Sequence, residues 1–120
     1  VVGPIICDRG KPELARASLE NAGKLCAAGV KTAICTDHPE TPINFLTAGA
    51  AYCCKYGMPK NEALKGLTIT AAELGGFADR TGSVTVGKDA DLILLDDDPF
   101  EIMTNVCMTM INGKIVFERK

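Results

Sequence analysis

This sequence is notable first for what is scarce. It has one histidine, no tryptophan and only 5% aromatic residues, and no C-x-x-C pair occurs in it. One histidine without paired cysteines does not make a structural zinc site. There is no basic excess: 13 Lys+Arg stand against 15 Asp+Glu, a formal net charge of −2. That excludes the basic stripe of a general nucleic-acid binder. No apolar run approaches the ~20 residues that cross a bilayer, so no membrane partner is expected. The opening V-V-G-P-I-I-C carries no methionine and no basic segment ahead of a long apolar stretch. It reads as a chain cut from something longer, beginning at or inside a buried strand, and not as a secretory signal. No internal repeat, low-complexity tract or flexible linker is visible.

What is present fits one small domain. The chain has 120 residues, 47% of them apolar and 23% charged, ordinary for a globular protein. A chain of this size buries ~65% of its unfolded surface, enough for a core without staples. Its six cysteines are Cys7, Cys26, Cys35, Cys53, Cys54 and Cys107. Four of the six lie in apolar-patterned segments without regular spacing. They read as reduced, buried thiols of a cytoplasmic protein and not as a disulfide framework.

The first two-thirds alternate strand-like and helical patterns. Val1–Val2, stopped by Gly3-Pro4, reads as a strand end. Residues 11–28 read as a helix, with Leu14, Ala17, Leu19, Ala22, Leu25 and Cys26 at helical spacing and Gly29 as the stop. Val30 to Thr36 has the length and β-branching of a strand. A helix over 42–56 is expected to turn Ile43, Leu46, Ala50 and Cys53/Cys54 inward. Its small cluster Ala48-Gly49-Ala50-Ala51 would let another backbone approach closely. A second helix opens at Pro59, and Thr70-Ala71-Ala72-Glu73 reads as a capping box starting a third that ends at Gly75-Gly76. Strand, helix, strand with one-sided helices is a βα unit of a parallel sheet or barrel.

After Gly82 the period falls toward strands at Ser83–Val86, Asp91–Leu95, Val106–Ile111 and Lys114–Glu118. Asn112-Gly113 marks a hairpin, since both residues tolerate positive φ. The expected organisation is an α/β part over 1–80 and a β-rich part over 81–120.

Two short motifs in this region read as bland structure. Gly82 to Lys88 matches G-x-x-x-x-G-K, but Asp89 stands where a phosphate loop needs Ser or Thr, and Ala90 to Leu95 reads as a strand where such a loop opens a helix. A turn at Gly87-Lys88-Asp89 is the structural reading. Asp96-Asp97-Asp98 lacks the alternating ligands and central glycine of a calcium loop and reads as a solvated turn before Pro99.

Three segments together carry a resemblance. They are Thr68-Ile69-Thr70-Ala71-Ala72-Glu73-Leu74-Gly75, then Gly82-Ser83-Val84-Thr85-Val86-Gly87-Lys88-Asp89-Ala90-Asp91-Leu92, then Val106 to Val116 with Asn112-Gly113 inside it. In this order and spacing they resemble the C-terminal part of the amidohydrolase superfamily, with Thr70-Ala71 departing from the usual Asn-Pro. The resemblance implies the last βα units of a TIM-type barrel followed by the C-terminal strands of a small β-sandwich. It also implies a hydrolase of C–N bonds in a cyclic amide, a small amide or a dipeptide, whose divalent metal, zinc foremost, activates the attacking water.

In that family the eighth barrel strand ends in a Ser/Thr-Asp pair whose aspartate binds the metal and takes a proton from water. Thr36-Asp37 matches it, which implies Asp37 as metal ligand and catalytic base. Alone, Asp37 reads as a residue starting a turn before Pro39. Barrel enzymes, however, place chemistry at the C-terminal ends of their strands. Thr36-Asp37-His38-Pro39 resembles the imidazolonepropionase-like branch, which implies Thr36 and His38 as substrate or supporting contacts. The family's remaining ligands, a His-x-His pair among them, have no counterpart beside a single histidine. A complete barrel needs about 250 residues. The expectation is therefore a C-terminal fragment, inactive and binding no metal alone, whose uncovered apolar faces drive homo-oligomers. The alternative is a non-catalytic amidohydrolase-like oligomerisation module.

Overall fold

The computed structural model describes residues 1–7 and 10–120. Among these, four α-helices precede three strands: α1 (Asn21–Ala27), α2 (Leu46–Lys55), α3 (Lys60–Leu67), α4 (Ile69–Gly75), β1 (Leu92–Leu95), β2 (Val106–Ile111) and β3 (Lys114–Glu118). The strands form one antiparallel sheet in the order β1-β2-β3, so the chain is α/β, with its helices in the first part.

The core lies under the helices. Ala22, Ile34, Ala50, Cys53, Met58 and Ala63 are buried together, with Leu46, Leu67 and Phe100 packed against them. Four of these six are alanine or cysteine, so the helices close tightly on the extended segment 32–36. Cys53 is fully buried. Burial first, and then the neighbouring Cys54, push its thiol up to about 11, which leaves it a packing group and not a nucleophile. All six cysteines are free, but Cys53 alone is buried and the other five are half-buried, so thiol burial is shallower than the pattern suggests.

The expected helix over 11–28 is broken. A 3-10 turn spans Pro12–Leu14 and the regular helix begins only at Asn21. Ser18 explains the gap: its hydroxyl accepts from the Glu20 N–H at 3.2 Å, a local bond that competes with helical geometry. Val30–Thr36 is extended but forms no ladder, only a parallel bridge between Val2 and Ile34. Val2 donates to Ala33 O at 2.7 Å and accepts from Cys35 N at 3.0 Å, while Ile34 N is taken at 3.2 Å by the Gly66 carbonyl at the end of α3. With a helix end on its other side, the segment has, among the described residues, one strand neighbour and no repeating partner.

The capping box is absent because α4 starts at Ile69, which puts Thr70 inside the first turn and buries it. Glu73 instead pairs with Lys31 at 2.6 Å. Thr68 separates α3 from α4, its hydroxyl donating to Leu64 O at 2.7 Å.

Ser83–Val86 forms no strand. Thr85 O accepts from Lys88 N at 3.2 Å, closing a turn slightly earlier than expected. Val84 and Val86 are 87% and 103% exposed. Ile43 faces solvent at 66% exposure, since it sits in the 3-10 turn ahead of α2 and not on the helix's inner stripe. The hairpin stands as expected, with Asn112 and Gly113 at φ 48° and 75° joining β2 to β3.

Candidate active site

Extended segment 32–36 delivers Thr36 and Asp37 to one end of the parallel Val2/Ile34 pairing. Thr36 is buried at 8% exposure; Asp37, His38, Pro39 and Glu40 are exposed. Asp37 stands at φ 53°, in the left-handed region that Asp and Asn enter more readily than most residues. The loop closes on itself through two backbone bonds, Glu40 N to Asp37 O at 2.9 Å and Thr41 N to Thr36 O at 3.2 Å. It is also tied to the neighbouring segment, where the buried Thr41 hydroxyl donates to Ile6 O at 2.5 Å. Sequence reasoning misses Thr41. Its one signal is a β-hydroxyl residue just after an Asp-His-Pro turn.

The three expected site residues thus sit in one loop, with Asp37 and His38 facing solvent. Among the described residues, no three His, Cys, Asp or Glu side chains gather into a set that could hold a metal ion. Asp37 is a single donor beside the chain's one histidine, so the residues present do not by themselves fit a metal centre.

A groove of about 800 Å³ lies between α2, the 40–45 segment and the sheet. It is lined by Thr41, Phe45, Tyr52, Ile93 and Phe100 among others, and Asp37 and His38 lie outside it. Its far wall is held to the helices by Asp98, which pairs with Lys60 and accepts from Phe100 N at 2.9 Å. The nearby Asp96 accepts from Asn105 N at 2.7 Å. These bonds give the acidic run 96–98 a structural role.

This chain and fold have relatives among known proteins. Residues 9–116 match the family model described as the amidohydrolase family, and the chain belongs to that family. Among individual relatives, it is 36% identical over 94 residues to the imidazolonepropionase of Maricaulis maris, covering 75% of this chain and 23% of that enzyme. It is 30% identical over 109 residues to the N-substituted formamide deformylase of Arthrobacter pascens, covering 77% of this chain and 20% of that one. The crystal structure of an amidohydrolase from Thermotoga maritima superposes with a TM-score of 0.95 at 40% identity, over 99% of this chain and 31% of that chain. The chain thus spans about a fifth of the length of these two curated relatives, 23% and 20%.

Proposed function

We propose that this chain is the closing portion of a larger cytoplasmic hydrolase of C–N bonds, with Asp37 as the carboxylate it contributes to the reaction centre. Residues 1–80 are its barrel part and 81–120 its sandwich part. The observation that carries the reading is the place of Asp37: it stands immediately beyond the buried Thr36, at the end of a segment paired in parallel with Val2. Chemistry at the C-terminal ends of parallel strands is the rule for barrel enzymes.

In the reaction, a water held against Asp37 gives up a proton to the carboxylate as its oxygen bonds to the amide carbonyl carbon. The C–N bond then breaks, and Asp37 returns the proton to the departing nitrogen. Thr36 fixes the backbone behind it, and His38, exposed beside it, contacts the substrate. A divalent cation would polarise that carbonyl, and it would need donors beyond the one carboxylate this chain supplies. The formamide deformylase named above supports a small non-peptide amide as substrate, beside the cyclic amide or dipeptide that the family resemblance implies.

The test has two arms. The 120-residue chain alone is expected to turn over none of a panel of N-formyl amines, cyclic amides and dipeptides. In the full-length enzyme Asp37→Asn is expected to lower kcat by ~100-fold or more while leaving the thermal midpoint unchanged, since Asn tolerates the same left-handed backbone. Turnover by the short chain that survives Asp37→Asn would sink the assignment.

One observation favours the second reading, a non-catalytic assembly module. Apolar side chains from all three strands are open to solvent, among them Ile93, Leu94, Ile111, Ile115 and Phe117.

A further inference from the structure

We infer that Thr41 is the positioning residue of the Asp37 loop, acting through its hydroxyl on a neighbouring segment; the inference rests on the reading of Asp37 as the site carboxylate. Two kinds of contact hold this loop, and they do different things. The Glu40 N to Asp37 O and Thr41 N to Thr36 O bonds close a local ring, which sets the loop's shape but not its place. Its place is set by the bond from Thr41 Oγ1 to Ile6 O, which joins residues 35 apart in the chain. Ile6 lies four positions beyond Val2 by sequence number, and Val2 is the residue bridged in parallel to Ile34. The two segments that run side by side at Val2 and Ile34 are therefore tied a second time where they end, with Asp37 between the two ties.

Thr41 is 5% exposed, so its hydroxyl is shielded from water. A hydroxyl that merely shaped a turn would bond its immediate neighbours, as Ser18 does with Glu20. Thr41 instead reaches the other segment. Removing the hydroxyl at constant volume leaves the Ile6 carbonyl without this donor; the bond is part-buried and Ile6 is 39% exposed, so water takes over the carbonyl and the tie between the segments is lost. Freed from that tie, the loop opens more often: its two ring bonds break and reform, and the Asp37 carboxylate moves with them.

The experiment is amide hydrogen exchange, read by mass spectrometry with residue-resolving fragmentation, on the full-length enzyme, comparing wild type, Thr41→Val and Thr41→Ser. In Thr41→Val the amides at positions 40 and 41 are expected to exchange about tenfold faster. The Cys35 and Met58 amides, bonded to Val2 O and Cys53 O, are expected to keep their wild-type rates. Thr41→Ser is expected to restore the wild-type rates. Unchanged exchange at Glu40 and Thr41, equal acceleration at Cys35 and Met58, or a serine variant indistinguishable from the valine one would each overturn the inference. None of these readouts depends on catalysis, so the Asp37 assignment stands or falls separately with the activity test above.

Discussion

Asp98 shows how one side chain can fasten two parts of this molecule. The Lys60 ammonium donates to it, and the Phe100 N–H adds a second bond; together, in that order, they hold its carboxyl below the usual 3.8. The same hydrogen bond raises Lys60 above its ordinary 10.5. A depressed carboxyl contributes stability above its unfolded value and loses that contribution as pH falls through the folded one. A raised lysine contributes below its unfolded value and loses that as pH rises through the folded one. The pair is therefore complete between 3.8 and 10.5 and weakens on either side. Asp98→Asn is expected to flatten the acid and alkaline limbs of a urea-midpoint profile, modestly, because the side chains are 56% and 30% exposed and water screens them. An unaltered profile would mean that the pair contributes nothing.

At the scale of elements, two helical glycines make opposite predictions. Gly66 in α3 lies against segment 32–36, and a Cβ there would stand 2.8 Å from the Thr32 carbonyl oxygen. That atom is backbone and cannot swing aside. Gly66→Ala is expected to destabilise the chain by ~1–3 kcal/mol through overpacking, despite alanine's better helix propensity. Gly49 in α2 meets only the Ile5 side chain, at 3.7 Å, which is ordinary contact. Gly49→Ala is expected to be neutral or to stabilise by up to ~1 kcal/mol. Urea unfolding of the two variants checks both signs. The small cluster 48–51 reads in the sequence as the place of close approach, whereas Gly66 and Gly23 are the helical glycines that lie tight against backbone. The motif Lys65-Gly66-Leu67 names no partner, because Thr32 is brought to it by tertiary packing.

The whole molecule is loosely covered. Its radius of gyration is 15.1 Å, with extents of 45 × 31 × 24 Å, against about 13.6 Å expected for a compact chain of this length. Ile102, Val86 and Val84 are almost fully exposed, and Ile93, Leu94, Ile115 and Val116 are more than half exposed. Exposed apolar surface of this extent favours association, and the 120-residue chain is expected to self-associate. Sedimentation velocity across a concentration series checks this, and a monodisperse monomer at high concentration would count against it. Among the described residues, no helix is long and apolar enough to cross a membrane.

Local chemistry made much of this legible from sequence. The hairpin at Asn112-Gly113, α2, α3, the last two strands, the failed phosphate loop and the family all come from turn residues, side-chain period and motif order, which act within a few positions of one another. The Thr36-Asp37 loop was legible as a candidate for the same reason. Other features depended on what stands across the gap. Among the described residues, Val30–Thr36 is no ladder because it has one strand neighbour and Ser83–Val86 is no strand because none lies beside it, while Glu73 pairs with Lys31 instead of capping α4. Thr41 finds Ile6 only once the two segments lie side by side. The sequence by itself determined which residues could turn, pair or carry charge. Tertiary structure alone decided which backbone carbonyl each donor meets, because distant segments become neighbours only when the chain folds.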